Sequence, residues 1–124
     1  MPSIRILLDN NVPIRLIPPL RPHAAVHASQ VGWAALGNGD LIRAAEDHGY
    51  PVLVTSDQNI RHQQNLTRRQ FCIIELSTTR WPTIRDNVAS LLAAIETMAP
   101  GSYTTVTFAK SPLRRRPYPG GTQQ

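Results

Sequence analysis

Ile4-Arg5-Ile6-Leu7-Leu8-Asp9-Asn10-Asn11-Val12-Pro13 is the stretch that decides the fold. A short branched-aliphatic run with one interruption, Arg5, stops at a polar cluster, so residues 3–8 read as a buried strand, expected to be central. Its polar end is an aspartate. A second run has the same form, Pro51-Val52-Leu53-Val54-Thr55-Ser56-Asp57. Side chains at the carboxyl ends of neighbouring parallel strands converge on the crevice where open α/β sheets bind ligands.

Between and beyond these two strands the chain alternates strand and helix signals. Asn10-Asn11 offers a helix N-cap and Pro13 suits a first turn. Ile14, Ile17 and Leu20 would give that helix an apolar stripe, which Pro18-Pro19 must end or kink early. Residues 23–28 read as a strand and 30–39 as a glycine-bearing loop. A helix follows from Asn38 or Asp40 to His48, with Leu41, Ala44, Ala45 and His48 on one face and Gly49 placed for a left-handed cap. Residues 56–67 are polar with room for one short helix, and 68–76 return to an apolar strand. The longest helix is expected over 81–98, where Ile84, Val88, Leu91, Leu92 and Ile95 recur at helical spacing. Pro82 fits its first turn, Pro100-Gly101 closes it, and 103–108 alternate as a final, candidate edge strand. Such alternation predicts an α/β fold with a central, mostly parallel sheet flanked by helices.

The 124 residues suffice for one core and no second one. Residues 1–109 are expected to form the domain and 110–124 a basic, Pro/Gly-rich flexible tail that contains Arg114-Arg115-Arg116. No apolar stretch approaches the roughly 20 residues of a membrane span, and the first apolar run is too short for a signal peptide. A cytoplasmic protein is therefore expected. The lone Cys72 excludes an internal disulfide and, within an apolar run, reads as a buried inert thiol. Thirteen basic against eight acidic residues give a net charge of +5. The resulting pI of about 10.4 favours polyanionic partners, nucleic acid above all.

Three aspartates carry the candidate chemistry: Asp9, Asp40 at the helix start, and Asp57. Carboxylates packed together repel unless a cation or proton intervenes, so their convergence implies a divalent metal and points to phosphodiester chemistry. Singly, Asp40 has an alternative reading as a helix-start residue and Asp57 as a turn former. Arg61, Arg68 and Arg69 follow Asp57 and are candidate phosphate contacts for RNA; a solvated charged face is the equal alternative. His62 reads as a solvated loop residue. Trp33 and Tyr50 are candidate base-stacking residues or local packing. His23, His27 and His48 show no zinc spacing.

The residues 6–13, Ile-Leu-Leu-Asp-Asn-Asn-Val-Pro, resemble the opening of the PIN-like proteins, whose relatives read Leu-Leu-Asp-Glu-Asn-Leu-Pro. The resemblance continues through His27, Gly39-Asp40-Leu41-Ile42 and Val52-Leu53-Val54-Thr55-Ser56-Asp57-Gln58-Asn59, and covers about residues 4–108. It implies a PIN-like three-layer sandwich and a Mg²⁺- or Mn²⁺-dependent endoribonuclease of the kind found as toxins in bacterial toxin–antitoxin pairs. On the same grounds Asp9, Asp40 and Asp57 would be catalytic metal ligands, joined by Asn59. The implied partners are an RNA substrate, a small antitoxin protein and a second copy of the chain. Two positions depart from the pattern: Asn10 stands where relatives carry Glu, and Asn59 where a further Asp is usual.

Two other classes compete. A noncatalytic PIN-like module that binds RNA or an antitoxin-like partner would account for the thinned acid set. A phosphoacceptor receiver domain would place its acceptor at Asp57 and its lysine at Lys110, but it wants paired acids where this chain has Asp9-Asn10.

Overall fold

In a computed structural model, residues 3–62 and 71–108 are described, the side chains of Arg61 and His62 excepted. Five strands form one sheet: β1 (Arg5–Leu8), β2 (Ala24–His27), β3 (Val52–Thr55), β4 (Cys72–Leu76) and β5 (Tyr103–Val106). Every neighbouring pair is parallel and the order is β2-β1-β3-β4-β5. The expected "mostly parallel" sheet is thus all parallel, and the final strand is an edge.

Among the described residues three α-helices complete the layers: α1 (Asn38–Asp47), α2 (Trp81–Asp86) and α3 (Val88–Thr97). Strand side chains alternate between two apolar clusters. Ile6, Leu8, Val52, Val54, Cys72, Ile74 and Leu76 pack with Ile84, Leu91 and Ile95 of α2 and α3. Leu7, Leu53 and Ile73 pack with Leu41, Ile42 and Ala45 of α1 and with Ile60. Burial on both faces explains why these strands read as near-continuous apolar runs rather than alternating ones. The chain is an α/β three-layer sandwich. Among the described residues no helix is long and apolar enough to cross a membrane.

Two helices depart from the sequence expectation. After β1 the chain makes two 3-10 turns, Ile14–Leu16 and Pro18–Leu20, instead of a kinked α-helix. Leu16 and Leu20 are the buried anchors while Ile14 is 49% exposed, because the prolines hold the segment to the tighter repeat. The long helix over 81–98 is broken at Asn87, with φ −124° and ψ 22°. The Asn87 side chain donates to the Thr83 carbonyl at 2.8 Å, and the Asn87 backbone N–H turns to Ile84. A side-chain donor thereby takes the acceptor that the helix ladder would use.

Gly49 ends α1 at φ +80°, a left-handed conformation that a β-carbon disfavours. Buried His23 ties three elements together. Its Nδ1 accepts the Ile4 N–H at 3.1 Å, so the proton sits on Nε2, which donates to Glu96 of α3 at 3.0 Å. Cys72 is buried and its thiol donates to the Ala99 carbonyl, as an inert core thiol should.

Candidate functional site

In the order β2-β1-β3, chain connections leave β1 in opposite directions, which makes the carboxyl ends of β1 and β3 the topological switch point of the sheet. Asp9 follows β1 there, with its N–H donating to the Val54 carbonyl at 2.9 Å. It falls on the α1 face, two residues after Leu7, and is only 7% exposed. One carboxylate oxygen accepts the Asn10 N–H at 2.7 Å and the other accepts the Thr55 hydroxyl at 2.7 Å.

Thr55 joins the two aspartates. Its hydroxyl oxygen accepts the Asp57 N–H at 3.1 Å while its proton goes to Asp9. Fully buried and at the end of β3, this hydroxyl fixes both the rotamer of Asp9 and the turn that carries Asp57. Asp57 in turn accepts the Asn59 N–H at 2.9 Å on one oxygen and the Asn38 side-chain amide at 3.1 Å on the other.

The first turn of α1 therefore reaches the crevice, but through Asn38. Asp40 projects to solvent, where its carboxylate pairs with Arg43 one turn along; the two side chains are 62% and 67% exposed. Among the described residues no three His, Cys, Asp or Glu side chains stand together as a metal-binding group. Asp9 and Asp57 are linked through Thr55, by the carboxylate of Asp9 and the backbone N–H of Asp57, and Asp40 is held by a different partner. Asn59 is exposed and lends its backbone to Asp57. The Arg61 side chain and Arg68 and Arg69 lie outside the described residues, as does the 110–124 tail.

The loop from Asp9 to Val12 is pinned along its length. Val12 N–H donates back to the Asp9 carbonyl at 3.0 Å. Asn10 donates its side-chain amide to the Ala34 carbonyl, and Asn11 accepts the Ser56 N–H at 3.2 Å. A glutamate in place of Asn10 has no donor for Ala34, so the departure from the PIN-like pattern has a local use.

His27 supplies the fourth tie. It ends β2 opposite Leu8 and is buried. Its Nδ1 accepts from Ser29, from the hydroxyl at 2.7 Å and the N–H at 3.2 Å, which leaves the proton on Nε2, and that donates to the Val12 carbonyl at 2.9 Å. We expect His27→Gln, which can place an amide donor near Nε2, to keep the chemical shifts of residues 9–12 close to wild type. His27→Asn, too short to reach Val12, should move them. Nitrogen–proton correlation spectra of the two variants check this, and equal shifts in both would remove the tie from the account.

Sequence reasoning passed over Thr55, Asn38 and Glu75. The signal for Thr55 was available: it shares the face of Leu53 two residues earlier, so its hydroxyl had to point inward. Glu75 is a charged residue inside a buried run. It sits in register beside Thr55 and accepts the Tyr103 hydroxyl at 2.6 Å. Trp33 and Tyr50, considered for base stacking, make edge contacts with each other, and Trp33 makes another with His48. Arg5 covers the Tyr50 ring at 4.3 Å. Both aromatics are committed to local packing.

Comparison with protein-family models, with curated proteins and with solved structures gives no match to this chain.

Proposed function

We propose that this protein is a Mg²⁺- or Mn²⁺-dependent endoribonuclease, acting as the toxin of a toxin–antitoxin pair, with Asp9 and Asp57 as its working carboxylates. The observation that carries the reading is the pairing of these two aspartates through Thr55 at the sheet's switch point. The net charge of +5 suits a polyanionic substrate, and the PIN-like resemblance supplies RNA, a small protein antitoxin that covers the crevice, and self-association.

The donor set fits such an ion. Mg²⁺ takes hard oxygen ligands and is usually held by one or two carboxylates plus substrate phosphate. A carboxylate offers about four lone-pair sites, and Asp9 and Asp57 each have two of theirs engaged by the hydrogen bonds named above. Asp9 and Asp57 would hold the ion, with the Asn59 amide oxygen as an available third donor. When bound, the ion supplies the Lewis acidity that activates water and offsets charge on the phosphoryl oxygens. The chain's own contribution is orientation: Thr55 holds Asp9, Asn38 and the Asn59 N–H hold Asp57, and the loop ties keep the crevice mouth in place. Asp40, salt-bridged to Arg43, has no role in this version of the site.

One observation favours a second reading, a noncatalytic docking module. Amides rather than acids line the mouth, and Asn10 uses its amide on the 34 carbonyl. The strand order is also that of receiver domains, yet both oxygens of Asp57 already accept hydrogen bonds and a single acid follows β1.

Calorimetry with Mn²⁺ on wild type and Asp57→Asn, followed by cleavage of a structured RNA, tests the proposal. Binding in the wild type that weakens at least tenfold in the variant, with RNA cleavage, is the expected result. No Mn²⁺ binding by the wild type would leave the docking module. Phosphoryl-donor labelling of Asp57 would turn the assignment to a receiver.

A further inference from the structure

Arg15 and Trp81 meet although they belong to segments that follow different strands. Arg15 lies in the 3-10 turn after β1, and Trp81 opens α2 after β4. The Arg15 guanidinium carbon stands 5.4 Å from the centre of the Trp81 ring. In the sheet β3 separates β1 from β4, strands about 4.8 Å apart. All five strands run the same way, so both segments leave at the carboxyl edge. Their contact therefore bridges across β3 on the α2/α3 side of the sheet, the side opposite α1. Trp81 is half-buried against the core cluster of α2 and α3, which holds the ring still.

Arg80 adjoins this pair and is exposed; its backbone N–H donates to the Thr78 hydroxyl. Among the described residues neither Arg15 nor Arg80 has a carboxylate partner. Arg85, one turn along α2, differs: Asp86 takes its charge at 3.2 Å. Among the described residues, two guanidinium groups without a carboxylate partner thus belong to a patch built around one fixed aromatic ring, at the carboxyl edge of the sheet on the α2/α3 side. A guanidinium stacked on an aromatic face keeps its planar fork of donors pointing outward and loses little entropy on binding a phosphate.

We propose that Arg15 and Arg80, with Trp81 as the platform that orders Arg15, form a surface at the carboxyl edge of the sheet that grips the phosphates of a single-stranded RNA. The identity of the polyanion rests on the nuclease reading. The surface itself is built from residues that no part of that reading uses. Trp81 carries the guanidinium on its face, so recognition is of backbone charge and not of base sequence.

The test is fluorescence anisotropy of a labelled oligouridylate with the full chain in EDTA, over a salt series. Arg15→Gln/Arg80→Gln is compared with Arg5→Gln/Arg21→Gln. The second pair removes the same net charge from the opposite side: Arg5 starts β1 and Arg21 precedes β2. All four arginines are exposed, so both variants are expected to fold. Each phosphate contact to a single strand contributes roughly 0.7 to the slope of log affinity against log salt. The first pair should therefore flatten the slope by about 1.4 and weaken binding on the order of tenfold per arginine at about 50 mM salt. The second pair should keep the wild-type slope. Equal losses in both variants, no loss in the first, or no binding by the wild type would each overturn the proposal. Because no metal is present, a failure of Mn²⁺ binding or of cleavage bears on the nuclease reading alone.

Discussion

Asp9→Asn is expected to lower RNA cleavage by about three orders of magnitude, the rate equivalent of several kcal/mol of metal-assisted stabilisation, while the protein stays folded. The asparagine oxygen can still accept the Asn10 N–H, and its amide can donate to the Thr55 hydroxyl, which rotates its proton away. The Asn10 N–H stays satisfied while the buried Thr55 hydroxyl proton loses its carboxylate acceptor, so the stability loss should stay within about 1 to 3 kcal/mol. Asp9→Ala would strand the Thr55 hydroxyl and the Asn10 N–H and confuse lost chemistry with lost structure. Cleavage rate and urea midpoint measured on the same preparation check the prediction. An Asp9→Asn protein that cuts RNA at the wild-type rate would remove Asp9, and with it the crevice, from the proposed function.

Strands β1 and β3 were legible because each is buried on both faces, leaving a near-continuous aliphatic run that ends in a polar residue. Helices were legible as far as apolar periodicity reaches. Periodicity does not report Asn87: Ile84, Val88, Leu91 and Ile95 keep their spacing across it, and only the hydrogen bond to Thr83 shows why α2 and α3 are separate. The segment after β1 failed differently. A 3-10 repeat turns each side chain about 20° further per residue than an α-helix does, so Leu16 faces the core where Ile14 was expected.

The placement of the candidate residues was legible where it depends on strand ends. Asp9 and Asp57 lie at the ends of adjacent parallel strands, and no helix phase enters their placement. Asp40 depends on helix phase. It lies two residues after Asn38, about 200° around an α-helix, so when Asn38 turns to Asp57 the side chain of Asp40 must turn away, to Arg43. A capping signal marks where a helix starts and leaves open which residue of the first turn faces the crevice. Arg15 and Trp81 could not be paired in advance, because their contact depends on strand order, which the run of apolar and polar residues does not encode.

Leu53→Ala should cost about 3 to 4 kcal/mol, within the usual range for a fully buried leucine. Leu53 sits on β3, hydrogen-bonded between β1 and β4, and is 0% exposed among Leu7, Leu41, Ile42, Ile60 and Ile73. Strands on both sides limit collapse around the missing atoms, so much of the cavity should persist. A domain of this size has about 5 to 15 kcal/mol in total, and the melting temperature should fall by roughly 10 °C. Val26→Ala, on edge strand β2 and only half-buried, should cost about 1 kcal/mol. The loss at Leu53 should also reach the crevice. Thr55 shares its face two residues on, so any sag of β3 toward α1 alters the Thr55–Asp9 bond, and Mn²⁺ affinity should fall with stability in Leu53→Ala while staying constant in Val26→Ala. Urea denaturation and calorimetry on the two variants measure both effects. A loss below about 1 kcal/mol at Leu53 would mean that α1 does not close the sheet over the strand that carries the site.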